Sequence, residues 1–351
     1  MNKTVVKPDL SIIIPMYNSA KTLEATVKSL AAPTRLSREF IFVDDGSTDD
    51  SADLAQSLMR DLDLQALIVR LERNEGVSAA RNKGAITAKG RYFWFFDADD
   101  LISFGAYRVI ESLITTNADI LLAGYLQVFS EWNYSIPTIE SSSYTIKSYS
   151  AAHFLEMYLK GKIPTLITSI LFKAEIGLDH GMRFQEQYSY GEDLDFMIRS
   201  LASASHISSC SAPLAIYVRW PQSGSAQKTR KWYDAPSAMI STFGWLKGAK
   251  LSEHQRKAIL TLMLLKQIPQ AYFHAYYASG LREEDSQMKK KYRHLLSENR
   301  RTIVISDTVT FFWGMRSALL LMSTRVFFAY GKLASWARWY LIPRLKKALA
   351  S

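Results

Sequence analysis

The chain has 351 residues, with 43 Lys and Arg against 33 Asp and Glu, an apolar fraction of 48% and one cysteine. That length provides for two domains, or one domain with an appendage, and the ordinary mix of apolar and charged residues excludes a largely disordered or collagen-like chain. Cys210 alone can neither close an internal disulfide nor complete a cysteine zinc site, which suits a reducing, cytoplasmic setting.

The net charge of +10 is unevenly placed. Residues 1–225 hold 21 basic and 26 acidic residues, whereas residues 226–351 hold 22 basic and 7 acidic. An acidic first part argues against nucleic acid as a partner, and a basic, aromatic second part suits an anionic surface. A boundary between two units is expected at 225/226.

In chain order, Leu10 to Ile14 is a short apolar run ended by Pro15. It is too brief for a signal-peptide core or a membrane span, and reads as a strand. Phe40 to Val43, Leu67 to Leu71 and Tyr92 to Phe96 repeat the pattern, each predicted to be buried on both faces. Ala20 to Leu30, Ser51 to Arg60 and Ser78 to Ala88 lie between them, with apolar residues returning every three or four positions, as in helices. Strands alternating with helices predict an α/β fold with a mostly parallel sheet, which binds ligands at the carboxyl ends of its strands. After Ala123 the rhythm loosens through Ser130 to Ser150, expected to be a surface insertion or extra strands. From Lys231 onward the pattern is helical.

Polar motifs fall at the predicted strand ends. Asp44-Asp45-Gly46-Ser47-Thr48-Asp49 follows the second strand. A turn with a helix cap accounts for Gly46 and Asp49, but adjacent buried carboxylates call for a cation or a hydrogen-bonding ligand to offset their repulsion. Asp97-Ala98-Asp99-Asp100 follows the fourth strand. In an extended backbone Asp97 and Asp99 point the same way and can hold one hard divalent cation, leaving positions for substrate phosphates. Taken singly, either cluster could equally be a solvated turn.

Together, Ile12-Ile13-Ile14-Pro15-Met16-Tyr17-Asn18, the Asp44–Asp49 run, Asn74-Glu75-Gly76-Val77-Ser78-Ala79-Ala80-Arg81-Asn82-Lys83-Gly84 and Asp97-Ala98-Asp99-Asp100 resemble, in order and spacing, the successive motifs of glycosyltransferase family 2. The resemblance covers roughly residues 8–225. It implies a GT-A fold and an inverting transfer from a nucleotide-diphosphate sugar, expected to be a UDP-sugar. By position it puts Pro15, Tyr17, Asn18, Asp44 and Asp45 by the nucleotide, and Arg81 and Asn82 near the nucleotide or diphosphate. Asp97, Ala98 and Asp99 become the metal-binding DxD element, with Asp97 and Asp99 as ligands of Mn²⁺ or Mg²⁺.

Tyr190-Gly191-Glu192-Asp193-Leu194-Asp195-Phe196 resembles the family's acidic element at a helix start, which makes Asp193 the expected base, with Glu192 beside it. The same acids also suit a first helical turn, where carboxylates favour the dipole. Arg219 and Ser225, in Tyr217 to Ser225, match a loop that can fold over the diphosphate, though an ordinary surface loop reads the same way. None of the six histidines has metal-ligand spacing. P-loop, Gly-x-Gly-x-x-Gly and Gly-x-Ser-x-Gly motifs are absent, which excludes the common kinase, dehydrogenase and serine-hydrolase patterns.

The carboxyl-terminal part mixes Trp313, Phe327, Phe328, Trp336, Trp339 and Tyr340 with Arg316, Arg325, Lys332, Arg338, Arg344, Lys346 and Lys347. Charges interrupt it before a span accumulates, so an interfacial membrane contact is expected, with a helical core or dimer interface as the alternative. The expected protein is therefore a cytoplasmic glycosyltransferase, peripheral on the inner face of the membrane and possessing a glycan or lipid-linked acceptor in surface polysaccharide or lipooligosaccharide synthesis. A transferase acting on protein or a wall polymer, or a silent GT-A scaffold, stays open.

Overall fold

The computed structural model describes residues 7–129, 144–178, 183–221, 229–279, 283–299 and 303. In chain order the elements are β1 (Leu10–Met16), α1 (Ala20–Leu30), β2 (Arg38–Asp44), α2 (Ser51–Asp61), β3 (Ala66–Arg70), α3 (Val77–Thr87), β4 (Tyr92–Phe95), β5 (Leu101–Ile102), α4 (Ala106–Ile114), β6 (Ile120–Phe129) and β7 (Lys147–Ser150). They continue with α5 (Ala151–Leu159), β8 (Ile170–Lys173), α6 (Ala174–Leu178), α7 (Glu192–Ser203), β9 (His206–Arg219), α8 (Asp234–Leu246), α9 (Glu253–Leu262), α10 (Ile268–Ser279) and α11 (Glu283–Glu298). A π-helical turn at Met263–Gln267 joins α9 to α10.

These strands form one mixed sheet in the order β3-β2-β1-β4-β8-β6-β9-β5, with β7 pairing to β9. β3, β2, β1 and β4 are parallel throughout, β8 enters antiparallel between β4 and β6, and β6 and β9 are again parallel. Helices cover both faces, as alternation of strand and helix requires. Side chains of β1, β2 and β4 separate by parity. Ile12, Ile14, Phe40, Phe42, Trp94 and Phe96 pack under α1, α2 and α4, while Ile13, Ile41, Val43, Phe93 and Phe95 pack under α3, α5 and α7. Ile12, Ile13 and Ile14 are fully buried, each worth about 1.5–3 kcal/mol relative to exposure.

Of the four predicted buried strands, β3 departs from expectation. It is the sheet edge, and its residues are exposed or half-buried. An apolar run of four or five residues carries no mark of whether a second neighbour will cover it.

The boundary expected at 225/226 lies outside the described residues. On its two sides, Ala238, Met239, Phe243, Ile259, Met263 and Tyr272 belong to the same apolar cluster as Phe154, Leu155, Phe196, Ile198 and Leu201. The basic tail over residues 304–351, Ser225 and residues 130–143 also lie outside the description, while the end of the Ser-rich stretch is β7. No helix among the described residues is long and apolar enough to cross a membrane.

Candidate active site

At the carboxyl ends of β1, β2 and β4 lies a cleft of about 890 Å³. Pro15, Tyr17, Asp45, Arg81, Asp97, Glu192 and Asp193 line it, brought from five separate motifs. Asn18, Asp44, Asn82, Ala98, Asp99 and Arg219 do not.

The loop after β2 explains the division between its two aspartates. The Asp44 carboxylate turns back to accept the Ser47 amide at 3.0 Å, so it serves its own loop. Asp45 reaches across to accept the amides of Glu75 at 2.7 Å and Gly76 at 2.9 Å, at the entry to α3. Backbone donors therefore offset the repulsion for which the sequence suggested a cation or ligand. Burial still raises the Asp45 pKa, against those two amides. Gly46 permits the approach: its φ is +70°, and a Cβ there would stand 2.6 Å from the Arg73 carbonyl carbon. Asn18, itself at φ 51°, accepts the Thr48 amide at 2.8 Å and laces the exit of β1 to this loop.

After β4 the chain turns rather than extends, with the Asp100 amide donating to the Asp97 carbonyl at 3.2 Å. The extended backbone that would align Asp97 with Asp99 is absent, and the turn instead puts Asp97 and Asp100 on the cleft wall. The Ala98 carbonyl accepts the hydroxyls of Thr22 and Thr26 at 2.9 and 3.0 Å, which ties the turn to α1. Burial and the neighbouring Asp97 push Asp99 up to about 7, and burial with Asp97 and Asp99 pushes Asp100 well above the usual carboxylate range.

Arg81 is the one buried cation facing this charge among the described residues of the cleft. Its Nη2 donates to Asp97 at 2.8 Å and its Nη1 to Glu192 at 3.4 Å. The guanidinium lies over the Phe184 ring at 5.2 Å. Asn82, the next residue, holds that ring in place. Its amide donates to the Phe184 carbonyl and to Glu186, both at 2.9 Å, and its carbonyl accepts the Phe184 amide at 2.9 Å. Expected by the diphosphate, Asn82 instead positions what lies beneath Arg81.

Glu192 and Asp193 open α7, following Gly191 at φ +80°, where a Cβ would come within 2.9 Å of Ala235 Cα. Burial and Asp193 push Glu192 up to about 8, with Arg81 opposing. Burial also raises Asp193, again against Arg81. Asp195, one half-turn on, has a different environment. It is buried, receives Arg199 Nε and Nη2 at 2.6–3.1 Å and the Thr242 hydroxyl at 2.7 Å, and so bolts α7 to α8.

Residues 11–171 match the model of the glycosyl transferase family 2 domain. The glycosyltransferase EpsJ of Bacillus subtilis, an uncharacterized protein, is 26% identical over 68% of this chain and 71% of its own length. TuaG of the same organism, described provisionally as a teichuronic acid biosynthesis glycosyltransferase, is 42% identical over 27% of this chain and 37% of its own. Staphylococcus aureus TarS 1-349, solved in complex with UDP-GlcNAc, superposes with a TM-score of 0.71 at 20% identity, over 90% of this chain and 91% of that one.

Residues 11–171 therefore form a glycosyl transferase family 2 domain.

The GT-A-like fold shared with TarS accounts for the parallel half-sheet and for the cleft at its strand ends. A family 2 glycosyltransferase of the kind the motifs resemble would hold a divalent cation here. No three His, Cys, Asp or Glu side chains converge to hold a metal ion among the described residues. What is present is a partly exposed Asp97 with two acids in the next three positions, and a guanidinium as stand-in cation on its oxygen. That donor set fits a hard cation which takes one or two protein carboxylates and leaves the rest of its shell to phosphate and water.

Several wall residues escaped the sequence reading. Glu186 and Tyr188 precede the acidic element, and Thr229, Lys231, Trp232 and His274 come from beyond the family 2 domain. Trp232 stacks on Tyr190 at 4.3 Å between ring centres, which places an aromatic pair next to Glu192 and Asp193. The only available signal was the cluster of Lys and aromatics at 228–233. Arg219, by contrast, is exposed at the end of β9 with its guanidinium 5.9 Å from the Phe129 ring centre.

Proposed function

We propose that this family 2 glycosyltransferase moves a sugar, with inversion, from a UDP-sugar to a hydroxyl of a glycan or lipid-linked acceptor in bacterial polysaccharide synthesis. The observation that carries the proposal is one cleft lined by Asp45, Arg81, Asp97 and Asp193. In this reading Asp45 meets the base or ribose and Arg81 the diphosphate. Asp193 takes the proton of the acceptor hydroxyl as that oxygen attacks the anomeric carbon and the bond from that carbon to the diphosphate breaks. Its raised pKa makes it a stronger proton acceptor than a solvated aspartate. A divalent cation, Mn²⁺ or Mg²⁺, would be held through Asp97, with Asp100 rather than Asp99 as its neighbour on the cleft wall, and would neutralise the leaving nucleoside diphosphate.

UDP-GlcNAc in TarS and the teichuronic acid assignment of TuaG favour a uridine nucleotide and an envelope polymer. Association with the inner face of the membrane through residues 304–351 belongs to the same proposal, because confinement raises the local acceptor concentration. Calorimetric titration with UDP, GDP, CDP and dTDP, with and without Mn²⁺, tests the donor site. Metal-dependent binding of UDP, retained in Asp193→Asn while sugar transfer is lost, is the expected result. Binding of no nucleotide would leave a silent scaffold, and binding of anionic liposomes by full-length protein checks the membrane part.

A further inference from the structure

Two buried arginines, Arg199 within α7 and Arg81 reaching it from α3, are bound in opposite ways. Arg199 is fixed: Nε and Nη2 converge on Asp195 at 2.6–3.1 Å, and Nη2 also reaches the Arg183 carbonyl at 2.6 Å. Arg81 is shared. One nitrogen donates to Asp97 at 2.8 Å, another leans toward Glu192 at 3.4 Å, and its Nε is buried without an acceptor. Of five N–H groups in a rigid fork, only two make ion-pair contacts, each to a different carboxylate. The Phe184 ring lies beneath the guanidinium, 5.2 Å from its carbon, and offers it no hydrogen-bond acceptor. Two acids met through different nitrogens of one incompletely bonded guanidinium form a two-position element.

We infer that Arg81 is an internal counter-cation of the donor site, which a divalent cation displaces from Asp97 and which Glu192 then receives. The inference rests on the proposed donor site and adds to it a residue that competes with the metal. In the metal-free protein the guanidinium neutralises Asp97, so a buried acidic turn is tolerable. When a divalent cation takes the Asp97 oxygen, Arg81 loses that partner and closes the 3.4 Å gap to Glu192. The proton that burial keeps on Glu192 passes to solvent as the guanidinium closes on it, and no other bond changes. Because Glu192 precedes Asp193 on the first turn of α7, cation arrival at Asp97 is felt beside the base. Arg81 is thus a positioning residue that links the two halves of the cleft.

Mn²⁺ binding by the full chain, read from the loss of the electron paramagnetic resonance signal of free aqueous Mn²⁺, tests this in a double-mutant cycle. Arg81→Gln should bind Mn²⁺ alone about tenfold more tightly than wild type, the loss of a competitor worth one decade in affinity. Glu192→Gln in the wild-type background should weaken Mn²⁺ binding, because the displaced guanidinium has nowhere to go. In the Arg81→Gln background the same Glu192→Gln change should do nothing. Equal weakening in both backgrounds would mean that Glu192 acts only through its own field, and would overturn the inference, as would unchanged affinity in Arg81→Gln.

A second readout needs no change at Arg81. In ¹⁵N spectra of nucleotide-free wild-type protein, the buried Arg81 Nε–H should shift as Mg²⁺ alone is added, and should shift less at equal Mg²⁺ occupancy in Glu192→Gln. A stationary resonance in saturated wild type would also overturn the inference. If wild type binds neither Mn²⁺ nor Mg²⁺ even with UDP, the donor-site proposal fails and this inference with it.

Discussion

Asn82 and Phe184, 102 residues apart, close a two-way bridge in which the Asn82 amide donates to the Phe184 carbonyl and the Asn82 carbonyl accepts the Phe184 amide, both at 2.9 Å. Phe184 also stacks on Phe196 of α7 at 4.0 Å, so this bridge joins α3 to α7 beneath Arg81. Asn82→Ala leaves two buried backbone groups and the Glu186 carboxylate without their partner, at a cost of about 1–3 kcal/mol for each buried group left unsatisfied. Thermal melting should fall accordingly, and UDP affinity measured on the folded fraction should fall with it. A variant that melts lower but binds UDP as well as wild type would reduce Asn82 to a purely structural role.

Asp193 and Asp195, two residues apart on one helix, should respond in opposite directions. Burial raises the Asp193 pKa, so its charged form is unfavourable in the fold, and Asp193→Asn should leave the protein as stable as wild type or more so. Sugar transfer should nonetheless drop by about 10²–10⁴, the range of a lost general base. Asp195→Ala strands the buried Arg199 and removes the Thr242 acceptor, for a loss of about 3–5 kcal/mol. Chemical denaturation beside initial-rate assays separates the two cases; comparable destabilisation by both substitutions would be the contrary result.

What could be read beforehand follows from how local the determinants are. β1, β2 and β4 were legible because burial on both faces demands unbroken apolar runs, and α1 because its apolar residues return with helical period. Beyond Ala123 the strands pair over long separations, and the β6–β9 register shifts between Leu122, Gly124 and Tyr125, which no periodicity announces. Asp45, Asp97 and Asp193, singled out by the resemblance of their motifs, reach one cleft because two strand ends and a helix start open onto it. Asp100 was missed because its direction depends on a turn, and Trp232 and Lys231 because only the packing of α8 and α10 brings them to the cleft wall. Arg219 was placed in the cleft by motif position alone, whereas β9 leaves it exposed beside Phe129.

The pH dependence of stability has a definite sign at Glu192. Its folded pKa of about 8 exceeds the ordinary value of 4.5, so between those limits the folded protein holds a proton that the unfolded chain releases. Stability from this group is fully present below about 4.5 and is lost as pH rises through about 8. Denaturation midpoints of the metal-free protein measured from pH 5 to pH 9 should therefore decline more steeply than those of Glu192→Gln, which carries no titrating group there. Parallel curves for the two proteins would show that Glu192 is already ionised in the fold at pH 5.

Gly46 carries the geometry of Asp45 without touching a ligand. Any side chain there must adopt φ near +70°, and its Cβ would stand 2.6–2.8 Å from backbone atoms of Arg73 and Asn74. The strained backbone alone costs about 1–3 kcal/mol, and the clash can be relieved only by moving backbone, since no flexible side-chain end is involved. The part that moves is the turn whose next amides, on Glu75 and Gly76, hold both oxygens of Asp45. Gly46→Ala should therefore lower the melting temperature and also weaken UDP binding beyond what the lost stability explains. Measured below the melting transition, where the variant is fully folded, the nucleotide Kd should rise while Mn²⁺ affinity at Asp97 stays as in wild type; a Kd equal to that of wild type would separate Asp45 from nucleotide recognition.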